Sequence, residues 1–154
     1  PCPCGRAGTD GPACTCGAND IARYRARLSG PLADRIDLHV TVAPVALSAM
    51  HSGDGESSAA VRTRVIEARE RQRARNAGHA HVYANAQAPL RVLRAGDGVR
   101  ADAHAWLVDA ADRLHLSARG YARVLRVART IADLDGVERV DKDAVAEALR
   151  FRGA

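Results

Sequence analysis

The spacing of apolar positions divides the chain into a short mixed segment and a longer helical one. Ile21, Tyr24 and Leu28 stand at i, i+3 and i+7, one stripe of a helix that Asn19 or Asp20 can cap and that runs to about Leu28. Ser29-Gly30-Pro31 ends it, because glycine caps a helix and proline cannot continue one, and Leu32–Arg35 adds a helical turn. The period then changes. Ile36, Leu38, Val40 and Val42 share one parity, with Asp37, His39 and Thr41 between them, which predicts a β-strand over 36–42 with one buried face. Residues 43–57 are small and polar and read as a linker.

From Ser57 or Ser58 a helix is expected to Asn76, with Gly78 after it; its apolar positions are sparse (Val61, Val65, Ile66, Ala68), so it should be largely exposed. A loop holding His79 and His81 follows, and without a nearby acid or cysteine these histidines read as surface residues. The next helix runs from about Asp97 to Leu114, with Val99, Ala103, Trp106, Leu107, Ala110 and Leu114 at helical spacing. Ser117 caps a helix over 118–134 that buries Tyr121, Val124, Leu125, Ala128, Ile131 and Ala132, and Asp133, Asp135 and Gly136 end it. Asp141 caps a last helix to about Phe151, with Val145, Ala146 and Leu149 inward. The fold class is mainly α, and with Trp106 and Phe151 the only Trp and Phe, the core should be small-residue helix packing.

Charge changes this picture at one place. The net charge is +5, and Lys142 is the only lysine. Between Arg62 and Arg75 six arginines face two glutamates, Glu67 and Glu70, a local excess of +4. Such a stripe suits a polyanion, with Arg69, Arg71, Arg73 and Arg75 the candidate nucleic-acid contacts; the competing reading is a solvated helix face with Glu–Arg pairs. Arg119, Arg123, Arg126 and Arg129 form a second basic row at steps of four, three and three. Arg35 stands between Asp34 and Asp37, either as a surface ion pair or as a cation held for a partner's phosphate. No run of about 18 apolar residues is present, so no membrane-spanning helix is expected, and no signal peptide is visible. The start at Pro1 reads as a piece of a longer chain.

Residues 1–17 are too rich in Gly and Pro for a regular element. They carry Cys2, Cys4, Cys14 and Cys16, in the pattern C-x-C, nine residues, C-x-C. Four thiolates close a tetrahedral zinc site, although C-x-C is tighter than the common knuckle spacing. A redox-labile disulfide pair and four free thiols are the other readings.

Two stretches resemble a known family. LSGPLADRIDLHV at 28–40 resembles the arginine-finger segment of the magnesium-chelatase and MCM-like branch of AAA+ ATPases, and most closely that of the ComM/YifB family. LSARGYARVLRVARTIADLDG at 116–136 resembles the sensor-2 helix of the same family, and the opening PCPCG with its later CTC and the ending VAEALRFR also fit. The resemblance implies that 1–42 is the end of an AAA+ α/β core, 43–57 a linker and 58–154 a helical lid. It implies that Arg35 is an arginine finger acting in trans and that Arg119 is the sensor-2 residue contacting ATP/Mg²⁺ in cis. It also implies a cytoplasmic hexameric ring that drives DNA branch migration in natural transformation. The chain itself has no Gly-x-x-x-x-Gly-Lys-Ser/Thr loop and no acidic Walker-B strand, so hydrolysis is expected only of the full-length protein. Two alternatives stand beside this reading: a zinc-stabilised basic helical module that binds nucleic acid or a partner, and a chelatase-type motor subunit.

Overall fold

A computed structural model describes residues 2–8, 13–27, 30–42, 45, 55–94 and 98–152. The helices are α1 (Ala18–Ala26), α2 (Gly30–Ala33), α3 (Ser58–Asn76), α4 (Leu90–Leu93), α5 (Ala101–Arg113), α6 (Ala118–Leu134) and α7 (Lys142–Arg150), with a 3₁₀ turn at Asn85–Gln87. They fall into two compact units: one takes in Pro1–Ile36 and Val40–Asp54, the other Asp37–His39 and Gly55–Ala154. The mainly α class stands. No helix among the described residues is long and apolar enough to cross a membrane.

In the first unit α1 begins at Ala18 behind Gly17, not behind Asn19 or Asp20. Gly17 offers no side-chain cap, and Asp20 instead places a carboxylate in the first turn, where the helix dipole favours it. The expected end of α1 at Leu28 lies outside the described residues. Gly30-Pro31 opens α2 rather than merely ending α1; proline's fixed φ and missing N–H suit a helix's first turn. The strand expected over 36–42 is not formed: these residues are irregular, and Leu38, Val40 and Val42 are exposed. An alternating run becomes a strand only when a neighbour completes its ladder, and the described residues hold no such neighbour.

In the second unit the caps act as the sequence indicates. Ser57 Oγ accepts from Ala60 N at 3.2 Å, Ser117 Oγ from Gly120 N at 3.0 Å, and Asp141 Oδ1 from Ala144 N at 2.9 Å. The core joins Leu93, Leu107, Val124, Leu125, Val140 and Val145 to a set of alanines, with Trp106, Tyr121, Leu149 and Phe151 packed at its edge. Alanines at 103, 128, 144 and 148 let the helix backbones approach closely. α5 starts at Ala101, later than expected, because Val99 forms a parallel bridge with Val140. There Arg100 N donates to Val140 O and Val140 N to Gly98 O, both at 3.0 Å.

α3 docks through its C-terminal half alone. Ser58–Glu67 are exposed, and the buried positions are Ala68, Gln72 and Asn76, four apart. This weakly apolar face is fastened by Asp133, whose side chain is fully buried. Arg75 donates from Nη1 to Oδ1 at 2.8 Å and from Nη2 to Oδ2 at 2.6 Å. Asn85 Nδ2 donates to Oδ2 at 2.8 Å, and Arg129 Nη2 lies 3.1 Å from Oδ1. Arg71 Nη1 adds a bond to the Asp133 carbonyl at 2.8 Å. Arg129 is spent further on the Val137 and Glu138 carbonyls, both at 2.7 Å, which fixes the turn after α6. Burial pulls the pKa of Arg129 down, and Asp133 works against that shift.

Removing this carboxylate leaves two guanidiniums without their counter-charge. Asp133→Ala is expected to destabilise the second unit by about 3–5 kcal/mol, whereas Arg71→Ala, which loses one bond to a carbonyl, should cost about 1 kcal/mol. Chemical denaturation of both variants checks the contrast.

Candidate functional site

Four arginines on α6 share a row but not a role. Arg123 donates to Asp37. Arg126 donates from Nε and Nη2 to the Ala88 carbonyl, both at 3.3 Å. Arg129 is buried in the Asp133 network. Arg119 alone is exposed without a partner among the described residues. It sits in the first turn, just after the Ser117 cap. A cation there faces the positive end of the helix dipole, so helix stability does not explain it. Within reach are a free guanidinium and a helix N-terminus, which together suit an anion of phosphate type.

Arg35 follows α2 in the first unit and is exposed. Its Nη1 donates to the Pro31 carbonyl at 3.3 Å, one turn back, which steers the guanidinium without neutralising it. Asp37, a possible local partner in the sequence, is taken by Arg123 instead.

The α3 arginines divide. Arg71 and Arg75 turn to Asp133. Arg69 donates to Gln72 Oε1 at 2.7 Å, and Arg64 pairs with Glu56 at 2.7 Å. Arg62 and Arg73 are exposed with no partner among the described residues. The +4 stripe is therefore in part a fastening of the fold.

The cysteines converge. All four sulfurs lie within 4.8 Å of one another; Cys2 is 3.4 Å from Cys4 and 3.6 Å from Cys14, and Cys4 is 3.6 Å from Cys14. The four are free thiols here, their sulfurs well beyond the ~2.05 Å of a disulfide bond. These separations match the ~3.8 Å edge of a tetrahedron whose centre is ~2.3 Å from each sulfur. The Ala7 backbone N–H donates to Cys2 Sγ at 3.2 Å, a bond that favours thiolate. Burial pushes the Cys2 thiol up, yet this donor and the neighbouring thiols outweigh it and bring the pKa to about 6. At Cys16 the Cys4 backbone favours the thiolate, but the Cys4 sulfur and burial prevail and push it up to about 12. The residues can hold a metal ion.

Sequence reasoning grouped the four cysteines that the structure brings together, but it missed Arg123 as the partner of Asp37 and Asp133 as the partner of Arg75 and Arg129. The i,i+4 spacing of Arg129 and Asp133 was the available signal for the second; nothing local signalled the first.

Comparison with known proteins adds the lineage. Residues 55–152 match the family described as magnesium chelatase, subunit ChlI C-terminal, and residues 1–50 match magnesium chelatase, subunit ChlI. The chain is 42% identical over 152 residues to an uncharacterized protein of Mycobacterium tuberculosis, covering 99% of this chain and 30% of that one. It is 42% identical over 134 residues to the competence protein ComM of Haemophilus influenzae, covering 86% and 25%. It is 35% identical over 139 residues to YifB of Escherichia coli, covering 89% and 26%. The chain belongs to the magnesium chelatase ChlI family, the AAA+ group that includes the proteins named ComM and YifB. It spans about a quarter to a third of the length of these relatives.

Proposed function

We propose that this chain is the arginine-finger segment and helical lid of a hexameric, ring-forming AAA+ ATPase that moves DNA strands, in branch migration during DNA uptake and recombination. The observation that carries the reading is the engagement of Arg123, Arg126 and Arg129 in the fold while Arg119, at the lid helix's N-terminus, stays free. In this reading Arg119 contacts the nucleotide of its own subunit, and Arg35 reaches the γ-phosphate held by the next one. Phosphoryl transfer spreads negative charge over the transferred oxygens, and a planar guanidinium brought to them lowers the barrier. The family's chelatase description favours a second reading, a motor that acts on a metal-inserting partner; stimulation of ATPase activity by DNA separates the two.

In the full-length protein Arg35→Ala should lower ATP turnover by ~10³–10⁵ and spare ATP binding, with lysine a poor substitute because it lacks the planar fork. Arg119→Ala should lower turnover and weaken nucleotide binding together. Steady-state hydrolysis and nucleotide titration check both; wild-type values for either variant remove that residue from the mechanism.

The four cysteines in this reading hold one structural Zn²⁺, which would crosslink residues 2–8 to residues 13–16, neither of them in a helix or strand. Protein purified without chelator should contain about one zinc per chain, and Cys14→Ser should lose it. A metal-free protein with four titratable thiols contradicts the assignment.

Of Arg69, Arg71, Arg73 and Arg75, the DNA backbone would be met by Arg69 and Arg73, since the other two face Asp133. Replacing Arg69 and Arg73 by glutamine should reduce the logarithmic salt slope of DNA binding by about 1.8, at ~0.9 per phosphate contact. Arg75→Gln should leave that slope unchanged and lower stability instead.

A further inference from the structure

The segment after Arg35 is fastened to the helix whose first turn holds Arg119. Asp37 accepts from Arg123, a contact across 86 positions of sequence. Two residues on, His39 N donates to the Phe151 carbonyl at 2.7 Å, an acceptor at the C-terminal end of α7 that has no helical N–H of its own to meet. Leu38 lies between these anchors and lines an apolar cleft with Ile131, Leu134 and Phe151. Residues 37–39 are thus held by one side-chain bond and one main-chain bond.

The positions of these contacts matter. Asp37 is two residues from Arg35, so the chain keeps their Cα atoms within about 7 Å. Arg123 is one turn after Arg119 on the same rigid helix, a rise of about 6 Å. Arg123 is a restrained anchor: its side chain is 19% exposed, whereas Asp37 is 47% exposed in an irregular segment. A helix moving as a body therefore carries Asp37 with it.

We propose that Asp37 and Arg123 are positioning residues that couple the two nucleotide sites a subunit serves. The inference rests on the roles proposed for Arg119 and Arg35. A nucleotide that draws Arg119 shifts α6; Arg123 moves with α6, and through Asp37 it sets where Arg35 stands toward the neighbouring subunit. The link is reciprocal, so engagement of Arg35 across the interface also biases Arg119. A half-exposed ion pair suits this use, because it can be broken and remade in each cycle.

The test uses the assembled full-length protein with Asp37→Asn, Arg123→Gln and the charge-keeping Arg123→Lys. Asp37→Asn and Arg123→Gln should lower kcat for ATP about tenfold, within the 5–150-fold span of typical couplings, and leave KM within about twofold. Arg123→Lys should recover most of the loss. Mixed rings give a readout that loss of stability would not: Asp37→Asn subunits should regain hydrolysis when assembled with wild-type-finger subunits that cannot bind ATP. Unchanged kcat in both Asp37→Asn and Arg123→Gln, in folded protein where Arg35→Ala and Arg119→Ala lower turnover, overturns the coupling. A loss that mixing does not restore also overturns it. If Arg35→Ala and Arg119→Ala themselves keep wild-type turnover, the underlying roles fail and the coupling falls with them.

Discussion

Asp133 places a carboxylate in the interior of the helical unit, where a lone charge is prohibitively costly, and much of the unit is arranged to meet it. Arg129 comes from one turn earlier on the same helix, Asn85 from the 3₁₀ turn and Arg75 from α3. Each brings its segment along. Asn85 is tied further to Thr130, with Nδ2 3.0 Å from Oγ1, and Arg75 Nη2 donates to Asn85 Oδ1 at 3.0 Å. A buried ionic cluster of this kind adds little net stability over an apolar core, but its geometry admits few alternatives, so it specifies how α3 sits on α6. The docking face of α3 needs that help, since Gln72 and Asn76 occupy two of its three buried positions.

The same economy sorts the arginines. A chain with 23 Lys and Arg residues offers more cations than any one function requires, and composition cannot tell them apart. Their partners can. Arg75, Arg126 and Arg129 close hydrogen bonds inside the helical unit, Arg123 reaches the segment that follows Arg35, and Arg119 and Arg73 remain open to solvent. In the proposed motor, the first group fixes the shape of the lid, Arg123 transmits position, and Arg119 meets the nucleotide.

The helices of the second unit were legible because their signals are local. Ser57, Ser117 and Asp141 cap where the sequence places them, and α3 and α6 keep their expected spans. The strand over 36–42 was misread because alternation records a face to be buried, not the presence of a neighbouring strand to pair with. The Gly17 start of α1 was missed because a better capping residue stood two positions on. The roles of Arg71 and Arg75 were hidden by the polar docking face: with Gln72 and Asn76 inward, hydrophobic period could not say which side of α3 meets the core. The cysteine cluster was readable from spacing alone, whereas the Asp37–Arg123 contact joins residues too far apart in sequence for any local rule.

The most direct measurement is a structure of the full-length assembly bound to a non-hydrolysable ATP analogue and magnesium. The account predicts the Arg119 guanidinium within hydrogen-bond reach of the phosphates in its own subunit, the neighbour's Arg35 at the γ-phosphate, and Arg129 and Arg75 still closed on Asp133. Arg119 left in solvent while Arg123 or Arg126 abandons its partner to bind the nucleotide would contradict it.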